Sequence, residues 1–103
     1  MADTIQKTIS PNEKRTFKLD VTNRNTSGVS ITVNSVTLYD FSGVDISATN
    51  LSGSASATTT TITLPVVYGL SDSGVYELSA LYTIGGNLYE TTIVLMCKRT
   101  GVN

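Results

Sequence analysis

Few side chains in this sequence could do chemistry. There is no histidine, which removes Ser-His-Asp and Cys-His nucleophilic sites and most transition-metal sites. Asp72-Ser73-Gly74-Val75-Tyr76 sets a carboxylate, a hydroxyl and a phenol within one short stretch. It is not a nucleophile elbow, because it leads into a strand where that motif leads into a helix. Gly85-Gly86 joins two strand-like runs, so it is not a phosphate loop. Asp40 and Asp45 flank the turn from Phe41 to Val44 and could share a calcium ion with carbonyl oxygens. No dense acidic loop surrounds them, and ordinary turn roles are expected. Asp20, Asp40 and Glu90 show none of the spacing of a glycosidase carboxylate pair. The single cysteine, Cys97, closes the apolar run Ile93-Val94-Leu95-Met96-Cys97. It reads as a small buried hydrophobe, with no disulfide possible inside the chain. The expectation is a protein without catalysis, cofactor or metal.

The elements that must position these groups are strands. The chain has 103 residues, the length of one domain spanning 1–103. Charged residues make up 15%, well under the roughly 25% of an average chain. Ser, Thr and Asn take their place, and these suit strand faces and turns better than helices. The net charge is −1, without the basic stripe that nucleic-acid binding needs. Lys14, Arg15 and Lys18, and again Lys98 and Arg99, read as solvated strand ends. No apolar run approaches the ~20 residues of a membrane helix. The start, Met1-Ala2-Asp3-Thr4, does not resemble a signal segment, so synthesis in the cytoplasm without export is expected. Asn25-Thr26-Ser27 and Asn50-Leu51-Ser52 match the glycosylation pattern by chance in a chain rich in Asn, Ser and Thr.

Turn residues divide the chain into short runs. Strands are expected over Thr4 to Ile9 and Arg15 to Thr22, with Ser10-Pro11-Asn12-Glu13 as the turn between them. Ser30 to Asp40 carries Ile31 and Val33 on one parity and Val36 and Leu38 on the other. That flip requires a bulge or a turn near Asn34-Ser35. A short edge strand over Val44 to Ala48 and a mobile loop over Leu51 to Ala57 are expected next. Thr58 to Leu64 reads as a strand, and Pro65 to Leu70 as a crossing loop.

The most regular feature is a hairpin of Val75 to Ile84 and Leu88 to Lys98. Tyr76, Leu78, Ala80, Tyr82 and Ile84 share one face. Tyr89, Thr91, Ile93, Leu95 and Cys97 face them. A two-residue turn at Gly86-Asn87 would pair Ile84 with Tyr89, and one at Gly85-Gly86 would shift the pairs but keep the faces. The opposite face carries Leu81, Val94 and Met96, which would lie close together. They read either as scattered surface apolar residues or as a protein contact surface.

About seven strands with turns this frequent predict an all-β, antiparallel sandwich. Asp72-Ser73-Gly74-Val75-Tyr76 resembles the D-S-G-x-Y of the immunoglobulin fold, in which the tyrosine hydroxyl bonds backbone a few residues upstream. Asp72 and Gly74 would shape that corner and Tyr76 would tie it. The usual second cysteine becomes Leu78, an apolar residue such as Leu19 replaces the first, and there is no tryptophan. An immunoglobulin-like sandwich held by aliphatic packing is implied.

A looser resemblance runs from Ile5 to Lys98. It rests on Pro11-Asn12-Glu13 before Phe17, a turn at Gly43, the run Thr58-Thr59-Thr60-Thr61-Ile62-Thr63-Leu64, Gly74 before Tyr76, and the glycine hairpin. In this order of features the chain is similar to small immunoglobulin-like proteins of tailed-bacteriophage and prophage virions. The resemblance implies a non-enzymatic virion structural or accessory protein, in capsid, head-tail junction or tail. Its partners would be other virion proteins or further copies of itself, without nucleic acid or membrane. Tyr39, Phe41, Leu81, Val94 and Met96 are the candidate interface residues. The alternative is a carbohydrate- or receptor-binding module stacking a sugar on the loops beside Tyr68 and Phe41.

Overall fold

The alternation along residues 75–97 becomes the centre of the protein. In the computed structural model, which describes residues 2–98, the hairpin pairs strand β7 (Val75–Ile84) with β8 (Asn87–Cys97). Its turn is Gly85-Gly86, with Ile84 opposite Asn87, Tyr82 opposite Tyr89 and Leu78 opposite Ile93. Both turn residues have positive φ, 56° and 88°. The tight hairpin turn that matches strand twist demands this at both central positions, and two glycines supply it without a steric penalty. A turn at Gly86-Asn87 would have placed an asparagine there instead. The shift leaves the faces intact, and every residue from Tyr76 to Ile84 at even positions is buried.

Strands β1 (Ala2–Ile9) and β3 (Ile31–Tyr39) complete this sheet in the order β1-β8-β7-β3. β1 runs parallel to β8, with Ile5 beside Ile93 and Ile9 beside Cys97. β3 is one continuous strand whose register against β7 slips between Val33 and Ser35. The parity flip is therefore a bulge, and Asn34 there accepts a hydrogen bond from the Thr83 hydroxyl at 2.9 Å.

The second sheet centres on β6 (Thr61–Val67). β2 (Arg15–Asp20) lies on one side, and the two-residue strands β4 (Leu51–Ser52) and β5 (Ser56–Ala57) lie on the other. The segment expected as a mobile loop thus pairs with β6. The threonine strand begins later than expected and runs through Pro65. The Thr58 hydroxyl accepts from the Thr60 and Thr61 N–H groups, so the first threonines form a turn. Pro65 cannot donate to a ladder. It is tolerated because the register slips there, Thr16 facing Val66 but Lys18 facing Thr63.

The expected edge strand over Val44 to Ala48 does not form. A single bridge joins Tyr39 to Asp45, and a four-residue helix α1 (Ser47–Asn50) follows. Local bonds outcompete the ladder here. Asp45 Oδ1 accepts from Ser47 N–H at 2.9 Å, and Ser47 Oγ accepts from Leu38 N–H at 2.9 Å.

The chain is a β-sandwich, with eight strands in two sheets among the described residues. β2 and β6 in one sheet with β3, β7 and β8 in the other is the strand distribution of the immunoglobulin sandwich. Tyr82, Leu78, Leu95, Ile62 and Leu38 are fully buried between the sheets. Each contributes roughly 1.5–3 kcal/mol through burial. Cys97 is buried among them, and burial, then the nearby Asp72 and Glu13 carboxylates, pushes its thiol pKa up. A buried thiol of this kind is structural and inert.

At the end of β2, Asp20 Oδ1 accepts from the Thr22 hydroxyl at 2.6 Å and the Thr22 N–H at 3.0 Å. These bonds hold the Asp20 carboxyl below the ordinary carboxylate value. A depressed folded pKa contributes stability above the unfolded pKa that is lost as pH falls through the folded one. A carboxyl-detected NMR titration should therefore place Asp20 below unperturbed aspartate, and Thr22→Val should return it towards that value. An unchanged midpoint in the variant would remove Thr22 as the cause.

Candidate interaction surface

One end of the first sheet presents its apolar groups to solvent. Asp40 organises the turn that carries them. Its Oδ1 accepts from Ser42 N–H at 2.8 Å and Val44 N–H at 3.0 Å, while Gly43 N–H donates to Asp40 O at 2.9 Å. Gly43 has φ 83°, a conformation glycine adopts freely. The result is a fixed turn with Phe41 at its tip. Phe41 is 84% exposed and Val44 is 56% exposed. Phe41, Gly43, Val75 and Glu77 border a shallow hollow of about 270 Å³. Asp40 and Asp45 both serve as backbone acceptors. Among the described residues no cluster of three or more His, Cys, Asp or Glu side chains is placed to hold a metal ion.

The pairing shows which expected interface residues meet. Tyr39, Glu77, Val94 and Gln6 form one row across the four strands, and Val75, Met96 and Thr8 occupy the next. Tyr39, Val94 and Met96 are half-buried on this outer face. Gln6 Nε2 donates to Met96 Sδ at 3.4 Å. Phe41 stands at the same end, beside Val75 and Glu77. Leu81 does not join them. It pairs with Glu90 and Ser35, four residues of strand beyond Glu77, a separation of roughly 13 Å at ~3.3 Å per residue. The Gly85-Gly86 turn causes this, because the alternative register would have placed Leu81 diagonal to Val94.

The backbone edge near Tyr39 is already spent. Leu38 O accepts from Ile46 N–H at 2.8 Å, Leu38 N–H donates to Ser47 Oγ, and Asp40 N–H donates to Val44 O at 2.9 Å. A partner strand cannot add over Leu38 to Asp40 without breaking these bonds, so recognition at this end is by side chains. Val44 and Val75 were not legible as part of it, since each looks like an ordinary strand residue in sequence.

The structural corner lies below this surface. The Tyr76 hydroxyl accepts from Ser71 N–H at 3.0 Å. Ser73 N–H donates to Cys97 O at 2.7 Å, and Cys97 N–H donates to Gly74 O at 2.9 Å. Ser73 takes the left-handed φ of 67°, which places Gly74 against the Tyr76 ring. On the second sheet, Lys14 Nζ lies 5.8 Å from the centre of the Tyr68 ring, so an ammonium group covers one face that a sugar would have used. Asn25 and Asn50, the two asparagines in glycosylation patterns, donate their amide nitrogens to Val29 O and Thr59 O, and to Tyr68 O and Gly69 O.

No protein-family model matches the chain, and no curated protein matches it either. No helix among the described residues is long and apolar enough to cross a membrane.

Proposed function

We propose that this protein is a non-enzymatic assembly module of a tailed-bacteriophage or prophage virion. It docks on another virion protein, or on a second copy of itself, through the end that carries Phe41. The observation that carries the docking reading is Phe41 itself, 84% exposed on a turn fixed by Asp40. Leaving a phenylalanine in water forgoes roughly 1.5–3 kcal/mol of burial. A turn that is already ordered loses little entropy when a partner covers it. Val75 and Met96 widen the apolar area and Glu77 gives it a polar rim, the pattern of interfaces that rely on aromatic and methionine anchors. The virion assignment rests on the order of features from Ile5 to Lys98 set out above.

The test is incorporation. Gradient-purified particles from a producing strain should contain the protein. Phe41→Asp should remove it from them while leaving its melting temperature unchanged, because Phe41 has little contact to lose. Absence of the wild-type protein from particles would sink the virion reading. Particles that retain the Phe41→Asp protein would sink the docking surface instead. Light scattering on the purified protein separates self-association from binding to a different chain.

A further inference from the structure

The exposed large apolar side chains of the sandwich gather at its two ends. Among the described residues they are Ile5, Val29, Phe41, Val44, Val75 and Leu88. Phe41, Val44 and Val75 belong to the end that carries the candidate surface. Leu88 and Val29 belong to the other. Leu88 pairs with Thr83 next to the hairpin turn, eight residues of β7 beyond Val75 and roughly 26 Å away at ~3.3 Å per residue. Val29 rests on the turn itself, its Cγ2 lying 3.6 Å from where a Cβ on Gly85 would stand. Leu88 is 60% exposed. The strands run between these ends, along the 44 Å axis of the molecule. A single apolar residue left in water calls for no partner. Here only Ile5 lies between the ends, and the other five divide between them.

The two ends differ in charge. Asp40 and Glu77 border the hollow beside Phe41. Two copies meeting through their Phe41 ends would set these carboxylates against each other, which is unfavourable. The hairpin end has no such rim. Leu88 follows Asn87 and pairs with Thr83, which pairs in turn with Thr32, and all three are neutral. Glu90, on the same strand, stands two residues further from the tip. The hairpin end of one copy therefore meets the Phe41 end of another without opposing charge. Across the long axis the molecule measures 26 × 24 Å. One end pressed on another would bury about 1,000 Å² in total, the threshold for a specific interface and in the range of weak ones.

We propose that a second copy of this chain occupies the Phe41 end, and that it docks head to tail. Phe41, Val44 and Val75 of one copy cover Leu88 and Val29 of the next. This rests on the docking reading above and names its partner. A contact between two different patches leaves an unused patch at each end of a pair, so it extends into a ring or a filament. The small area makes each contact weak, and the array forms at high protein concentration.

Sedimentation velocity on the full chain, from about 10 µM to about 1 mM to cover weak affinities, tests the proposal. The wild-type mass should climb with concentration from 10.9 kDa to beyond the dimer. Phe41→Asp and Leu88→Asp should each stay monomeric with unchanged melting temperatures, since both side chains stand in solvent. An equimolar mixture of the two variants should form a heterodimer and nothing larger, because each keeps the patch that the other has lost. Should Leu88→Asp lower the melting temperature, Leu88→Gln reads the same contact without a new charge. A wild-type protein that stays monomeric at about 1 mM would overturn the second copy as occupant, and incorporation into particles would then read the docking end independently. Association lost in Phe41→Asp but kept in Leu88→Asp would overturn the head-to-tail contact in favour of two Phe41 ends meeting. Association kept in Phe41→Asp would overturn this contact and the docking surface together. A mixture that stays monomeric would overturn the head-to-tail contact as well.

Discussion

Gly74→Ala should destabilise the protein by about 3 kcal/mol. A methyl group on Gly74 would lie 2.7 Å from Tyr76 Cε2, 2.8 Å from its hydroxyl and 2.9 Å from Cζ. Contacts this short are not tolerated, so the ring must move. Overpacking of this kind costs roughly 1–3 kcal/mol. Moving the ring also breaks its hydrogen bond from Ser71 N–H, worth about 1 kcal/mol more. The ring has little freedom to escape. Tyr76 is among the core residues, opposite Leu95 on β8, and the turn before it is tied to Cys97 at two points. A double-mutant cycle separates these contributions. Tyr76→Phe alone should cost about 1 kcal/mol, since it removes the hydroxyl and keeps the ring. Tyr76→Leu should cost more by itself, but in that background Gly74→Ala should become nearly neutral, because the atoms it strikes are gone. Urea unfolding of the four proteins reads the coupling. Additive costs would show that Gly74 is needed for its backbone conformation and not for the ring.

That corner and the hairpin after it were legible because their information is local. Alternation from Tyr76 to Ile84 names the buried face whatever the register, and the turn chemistry narrows the register to two choices. The structure decides between those choices by the φ of the turn residues, and the decision relocates Leu81. The remaining departures have one origin, competition between a strand ladder and a nearby side chain. Asp45 and Ser47 claim backbone groups that would have extended an edge strand. Thr58 does the same at the start of the threonine run. Both are polar residues whose preference for turns was visible, but not their strength against the ladder. Phe41 was legible as a candidate because interfaces favour aromatic anchors. The cleft between β1 and β2, lined by Lys7, Lys18 and Arg24, was not. Lys18 reads as a solvated strand end and Arg24 as part of a polar loop. Lys7 reaches the same cleft because β1 pairs with β8 in parallel, and Arg24 reaches Tyr82 across 58 residues of sequence. Nothing in the run from Thr4 to Ile9 announces a parallel partner nearly ninety residues away.

Asn25→Asp should be the more severe of the two substitutions, at about 4 kcal/mol near neutral pH. Asn25 is 5% exposed and fully used. Its Nδ2 donates to Val29 O and to Thr59 O, both at 2.7 Å, and its Oδ1 accepts from Val29 N–H at 3.1 Å. These bonds pin the loop after β2 to the turn before β6, and Arg24 stands one residue earlier in that loop. Aspartate has the same shape but no donor. One of its oxygens would face two carbonyl oxygens across hydrogen-bond distance, losing both bonds at about 0.5–1.5 kcal/mol each and placing a negative charge where Asn25 is buried. Burial and the two carbonyls must raise the folded pKa of the new carboxyl. With a raised folded pKa, the unfolded chain releases its proton first. The penalty therefore grows as pH rises above the unfolded value of ~3.9. At acid pH the protonated carboxyl can donate to one of the two carbonyls, and part of the loss returns. Urea midpoints of variant and wild type, compared at about pH 7 and about pH 4, measure this difference at each pH. A loss under about 1 kcal/mol, or one that stays constant across the two conditions, would show that the loop is held by something other than Asn25.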